Sequence, residues 1–157
     1  MSGAALAKFI TSLGAAPDRQ AGFDALGTLV DEALGTRLFT VMVLDRPRAV
    51  ASRAWTNMPD AYPASGEKPI EPNDWLAGIQ RGESFVRNSI DEIAEVFPDW
   101  ELIRSLGCHS VLNMPVRARG QIVGTLNLLD GPGHFTRDRV AACEAILRLP
   151  GTACFLL

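Results

Sequence analysis

VLNMPVRARGQIVGTLNLL, residues Val111 to Leu129, consists of two apolar runs joined by a short polar link that contains a glycine. Alternating apolar residues around such a link read as a β-hairpin. With Gly120 in the left-handed position of a three-residue loop over Ala118, Arg119 and Gly120, Arg117 faces Gln121 and the register follows by counting. Leu112 then opposes Leu126 and Val116 opposes Ile122 on one face, while Asn113 opposes Thr125 and Val111 opposes Asn127 on the other. The polar interruptions Asn113, Thr125 and Asn127 therefore gather on one face, and the more uniformly apolar face is expected to pack on helices.

Outward from the hairpin, the chain alternates helical and strand patterns. GFDALGTLVDEAL spaces Phe23, Leu26, Leu29, Val30, Ala33 and Leu34 as an amphipathic helix, with Gly35 as its C-cap. GAALAKFITSL predicts a shorter helix before it. TRLFTVMVLD and AVASRAWTN, separated by RPR, predict two antiparallel strands. Met58 to Asn73 is dense in proline and reads as a long structured loop. Asn73 caps a short helix through DWLAGIQRG, SFVRN is a brief strand, and SIDEIAEVFPDWELIRSLG gives one or two helices broken near Pro98. After the hairpin, FTRDRVAACEAILRL carries Val140, Cys143, Ile146 and Leu147 on one helical face behind a Thr136 N-cap. This order predicts an α+β arrangement of layers around an antiparallel sheet.

At 157 residues and 47% hydrophobic, the chain suits one globular domain. A net charge of −3 with acidic and basic residues interspersed argues against nucleic acid as a partner. With no uninterrupted apolar stretch long enough to cross a bilayer and no clean signal segment, the expectation is a cytoplasmic protein without a membrane partner. Cys108, Cys143 and Cys154 are odd in number and widely spaced, so reduced thiols are expected rather than a disulfide framework or a zinc site. Only His109 and His134 are available besides, and neither a metal nor a cofactor is expected.

LGCHSVLNMPVRARGQIVGTLNLLDGPGHFTRDRV resembles the C-terminal half of a GAF domain through Ser110, Leu112, Pro115, Gly120, Val123, Gly124, Leu126, Phe135, Thr136 and Asp138. The order of elements before it agrees, so the resemblance covers almost the whole chain. It implies a stand-alone, single-domain GAF protein over residues 1–157, with residues 1–18 as an N-terminal helical extension. It further implies a central antiparallel sheet with the terminal helices on one face and loops and short helices over a ligand pocket on the other.

The functional expectation is a sensory or regulatory module that binds a small organic molecule between the sheet and residues 58–107. Candidate ligand-binding residues are Arg53, Trp55, Tyr62, Trp75, Val111, Asn113, Thr125 and Asn127. Asn113, Thr125 and Asn127 are equally open to a structural role, bonding to loop backbone that crosses the sheet. Against the cyclic-nucleotide members, the chain keeps Asn127, Phe135 and Asp138 but has Leu128 and Arg139 where they carry Lys and Glu. Against the bilin-binding members, Cys108 and His109 stand in the wrong segment. A relative with chemistry of its own is the free methionine sulfoxide reductase, whose carboxylates and catalytic cysteine fall at Val111, Asn127, Leu129 and near Arg104, all departures. The alternatives to ligand sensing are thus an enzyme of that type using Cys108, or a ligand-free dimerisation module. The resemblance also implies a homodimer through the terminal helices, the one around Leu26 to Leu34 and the one around Val140 to Leu149.

Overall fold

In a computed structural model that describes residues 2–157, the predicted hairpin is strands β5 (Ser110–Ala118) and β6 (Gln121–Asp130). These join β1 (Leu38–Asp45), β2 (Val50–Thr56), β3 (Lys68–Pro69) and β4 (Phe85–Arg87) in one six-stranded sheet of order β3-β2-β1-β6-β5-β4. Every neighbouring pair is antiparallel. The two-residue β3 falls inside the segment expected as loop, and its Pro69 is tolerated because it lies at the sheet edge.

Helices α1 (Ser2–Ala15), α2 (Arg19–Ala33) and α6 (Arg137–Phe155) cover one face. Their Phe9, Phe23, Leu26, Leu29, Cys143, Leu147 and Phe155 form one core with Phe39, Val41, Leu112, Met114, Leu126 and Leu128 of the sheet. Leu26, Leu29 and Val30 are thereby buried within the chain itself, leaving Leu6 and Ile10 of α1, Leu149 of α6, and Leu156 and Leu157 just past its end as the large exposed apolar residues of the helical layer among the described residues. The opposite face carries α3 (Asp74–Gln80), α4 (Ile90–Ala94), α5 (Trp100–Ser105) and the proline-rich loop, over two smaller apolar clusters around Ile93 and Ile79.

Local chemistry sets the boundaries of these elements. The Asp18, Asn73, Ser89 and Thr136 side chains accept from backbone N–H groups in the first turns of α2, α3, α4 and α6. Gly35, at φ +66°, donates its N–H back to Val30 and closes α2 with the left-handed residue such a turn favours. Pro98 separates α4 from α5.

Two bulges correct the expected register. The hairpin turns in two residues, Arg119 (φ 54°) and Gly120 (φ 77°), so Ala118 pairs with Gln121 and Arg117 with Ile122. Two successive positive φ angles match the twist of the flanking strands better than the three-residue loop anticipated. A bulge between Val116 and Arg117 then pairs Val116 with Gly124, and beyond it Asn113 lies opposite Asn127, Leu112 opposite Leu128 and Val111 opposite Leu129. The counted register was displaced by two residues there, an even number, so those side chains keep their expected faces. Ile122 does not: it packs with Leu44 and Ile79 beneath α3 instead of beside Val116. In β1 and β2, Val41 pairs with Trp55 but Met42 with Arg53, and the extra residue puts Arg53 and Trp55 on opposite faces.

Candidate functional site

Between the sheet and residues 58–107 lies a cavity of about 370 Å³. Its floor is built from Thr40 and Met42 of β1, Arg53 of β2, Val111 and Asn113 of β5, and Asn127 and Leu129 of β6. The roof is Trp75 of α3, Tyr62 of the long loop, and Val96, Phe97, Pro98, Asp99 and Ile103 around the break between α4 and α5. The antiparallel register explains the floor: Thr40 pairs with Asn127, and Asn127 with Asn113, so three polar side chains stand in a row across three strands.

That row is one directed chain of hydrogen bonds. Trp75 Nε1–H, which has no acceptor capacity, donates to Asn113 Oδ1 at 3.0 Å. The Asn113 Nδ2 amide therefore points the other way and donates to Asn127 Oδ1 at 2.8 Å, which also accepts from Thr125 Oγ1 at 2.9 Å. Asn127 Nδ2 in turn donates to Thr40 Oγ1 at 3.2 Å. Asn113 is 4% exposed and Thr125 fully buried, and no buried side-chain nitrogen or oxygen among the described residues lacks a partner.

At the mouth, Arg53, Tyr62 and Asp99 form a clasp. The Arg53 guanidinium stacks 3.7 Å from the centre of the Tyr62 ring, donates to the Pro63 carbonyl at 2.8 Å and stands 3.9 Å from Asp99. The Tyr62 hydroxyl donates to Asp99 Oδ2 at 2.6 Å. Burial first, and then this carboxylate, push the phenol far above its ordinary range, so it remains a donor.

Of the residues expected to bind a ligand, Arg53, Tyr62, Trp75, Val111, Asn113 and Asn127 all line this cavity. Thr125 stands behind it, bonded to Asn127. Trp55 is on the helical face, packed against Phe39 at 5.6 Å between ring centres and donating its indole N–H to Asp24 of α2 at 2.7 Å. The β2 bulge is the reason. Asn113 and Asn127 do not bond to crossing loop backbone; they bond to each other, and through Trp75 to the roof helix. Sequence reasoning missed Thr40 and Asp99. Thr40 enters only through the long-range pairing of β1 with β6, and Asp99 through a loop contact, and neither leaves a mark in local periodicity.

Cys108 is completely buried beside Leu38, Ile93 and Val111, outside the cavity lining. Burial above all, together with the negative field of Asp130, raises its pKa to about 11, against the partial opposition of Arg37. A thiol at that value holds almost no thiolate at neutral pH, which opposes its use as a nucleophile. Cys154, pushed up to about 12 by burial, donates to the Gly22 carbonyl at 3.2 Å. Burial lowers the His134 pKa, Asp130 at 3.5 Å acting in the opposite sense. His109 touches Asp130 through its backbone N–H. Among the described residues no three His, Cys, Asp or Glu side chains converge as a metal site. A more polar groove of about 560 Å³ beyond Trp75 is lined by Asp74, Arg81, Glu83, Arg87 and Glu95; of these, Arg81 and Glu83 pair with each other at 3.0 Å.

Against families of known proteins, the GAF domain model matches residues 18–153, and the chain belongs to the GAF family. No curated protein matches it significantly. Solved structures of the same fold include the GAF domain of a phosphoenolpyruvate-protein phosphotransferase from Coxiella burnetii, with TM-score 0.70 and 16% identity over 98% of this chain and 93% of that one. The corresponding Acinetobacter domain gives TM-score 0.71 and 14% identity, covering 96% and 91%. The blue-light absorbing form of the Thermosynechococcus elongatus PixJ GAF domain gives 0.66 and 17%, covering 87% and 84%.

Proposed function

We propose that this protein is a cytoplasmic sensory or regulatory GAF module whose ligand is a small organic molecule held in the cavity between the sheet and residues 58–107. The observation that carries the reading is the cavity itself: about 370 Å³, walled by Phe97, Ile103, Val111 and Leu129, with the Thr40, Asn127 and Asn113 row on its floor. Apolar walls with a few fixed polar groups are the usual make-up of a small-molecule site. The structural neighbours include domains of a sensor histidine kinase and a chemotaxis protein, which supports a sensory role. Three unpaired buried thiols fit a reducing compartment, and no helix among the described residues is long and apolar enough to cross a membrane. Native mass spectrometry of protein purified from its source tests the proposal. A retained small molecule is expected; repeated empty spectra, with no thermal shift across a metabolite panel, would leave a ligand-free module instead.

The reading includes a homodimer through the terminal helices, now resting on α1 and α6. Ile10 is 61% exposed and Leu149 77%, apolar area that a second copy would cover. Sedimentation at micromolar concentration is expected to give a dimer that Ile10→Asp with Leu149→Asp dissociates. A wild-type monomer, unchanged by salt, removes this element.

A further inference from the structure

The hydrogen-bond polarity of the cavity floor restricts the chemistry of its occupant, and this inference rests on the reading of the cavity as a ligand site. An asparagine pair is by itself ambivalent, because each amide can turn over and exchange donor for acceptor. Here the pair is pinned from one end. The indole of Trp75 can only donate, so Asn113 must present its oxygen to Trp75 and its nitrogen to Asn127. Asn127 Oδ1, already accepting from Asn113 and Thr125, has both lone pairs engaged, and its nitrogen is turned toward Thr40. The three residues, all lining the cavity, keep three unassigned hydrogens, one on each amide and one on the Thr40 hydroxyl, against two unassigned lone pairs, one on Asn113 Oδ1 and one on Thr40 Oγ1, so the row has donors in excess.

The charges point the same way. The lining contains two cations, Arg53 and Lys68, and one carboxylate, Asp99, which already accepts from the Tyr62 hydroxyl and faces Arg53. A cationic ligand would meet donors on the floor and a positive balance at the mouth. An sp² oxygen on an apolar frame, with two lone pairs, can accept from two neighbouring donors of the row, where desolvated donors otherwise go unpaired.

We infer that the cavity selects an apolar molecule bearing a carbonyl oxygen directed at the Asn113, Asn127 and Thr40 row, and rejects the same frame bearing an ammonium group. Trp75 is then a specificity-determining residue that acts through Asn113. Removing its N–H releases the asparagine pair to turn over, and a carboxylate at position 113, with no hydrogen to give, reverses the demand on Asn127.

Three probes that share one heavy-atom framework and differ at a single position test this in the intact protein: 2-acetylnaphthalene, 2-isopropenylnaphthalene and 1-(2-naphthyl)ethylamine. Binding is followed through the side-chain amide signals of Asn113 and Asn127 and the indole N–H signal of Trp75 in proton–nitrogen correlation spectra. The ketone is expected to bind about tenfold more tightly than the hydrocarbon, the worth of one well-made hydrogen bond, and to shift all three signals, with the ammonium probe weakest. In Trp75→Phe the ketone's advantage over the hydrocarbon should shrink while the hydrocarbon still binds, a split that simple loss of packing does not produce. In Asn113→Asp, if it folds, the order of ketone and amine should invert. An amine that binds wild-type protein as tightly as the ketone overturns the inference and leaves the ligand-site reading standing; so does a ketone advantage untouched in Trp75→Phe. Absence of binding by all three probes overturns the inference, whereas failure of the site reading is registered separately by empty native spectra of the purified protein.

Discussion

Cys108 and the asparagine pair show how differently single residues carry information. A cysteine followed by histidine attracts a chemical reading, yet its environment removes the chemistry: Leu38, Ile93 and Val111 enclose the sulfur, and its pKa rises from 9.0 to about 11. The consequence for stability has a definite sign. Below pH 9 the thiol is protonated folded or unfolded and contributes no pH dependence. Between about pH 9 and 11 the unfolded chain releases the proton while the native state keeps it, so stability falls as pH rises. Urea unfolding should therefore show a steeper loss over that window in wild type than in Cys108→Ala, by on the order of 1–3 kcal/mol at its upper end. Parallel curves would mean that the native thiol titrates normally. Asn113 and Asn127, by contrast, were legible as polar residues on the ligand-side face, because strand alternation survives an even register error. Their hydrogen-bond partners were not legible, since Trp75 is 38 residues away in the chain and Thr40 is 87.

At the scale of elements, local signals placed most boundaries, and bulges account for the misplacements. The Asn73 and Thr136 caps and the Gly35 terminus are short-range events that sequence encodes directly. A bulge inserts one residue into one strand without a matching mark in the pattern of hydrophobicity, which is why Ile122 and Trp55 exchanged faces. Once seated on the helical face, Trp55 demands space there: a Cβ added at Gly27 of α2 would overlap its ring. Gly124 is under the same constraint in the sheet centre, where an added Cβ would collide with the Met42 carbonyl oxygen and the Phe155 ring. The carbonyl belongs to the neighbouring strand and cannot rotate away, so Gly124→Ala is expected to cost about 2–4 kcal/mol in chemical denaturation, with a lowered midpoint and an unchanged slope. A loss below about 0.5 kcal/mol, the range of an ordinary surface substitution, would show that β1 and β6 are less closely apposed than described.

For the whole molecule, the sheet divides two tasks. Its helical face buries the large apolar core that holds the fold, and its other face is roofed by short helices and loop that close over a cavity. The roof is joined to the sheet by two small apolar clusters around Ile93 and Ile79, by the Trp75–Asn113 hydrogen bond and by Arg53 stacked on Tyr62, and elements anchored over so much smaller a core open more readily than the helical face. The α+β order and the layer assignment were readable because helical and strand periodicities differ along the chain, and the Asn73 cap and Pro98 break marked the short helices of the roof; the path of the loop from Met58 to Asn73, with its short β3, was not, because proline-rich segments carry no period from which to build it. A ligand seated in the cavity would join roof to floor and slow that opening. Backbone hydrogen exchange of dialysed protein, compared with protein saturated by the small-molecule fraction of its source cells, addresses the central claim directly. Added protection is predicted in residues 58–107 and in β5 and β6, with α1 and α6 unaffected; protection confined to α1 and α6, or none anywhere, would contradict a ligand site between sheet and roof.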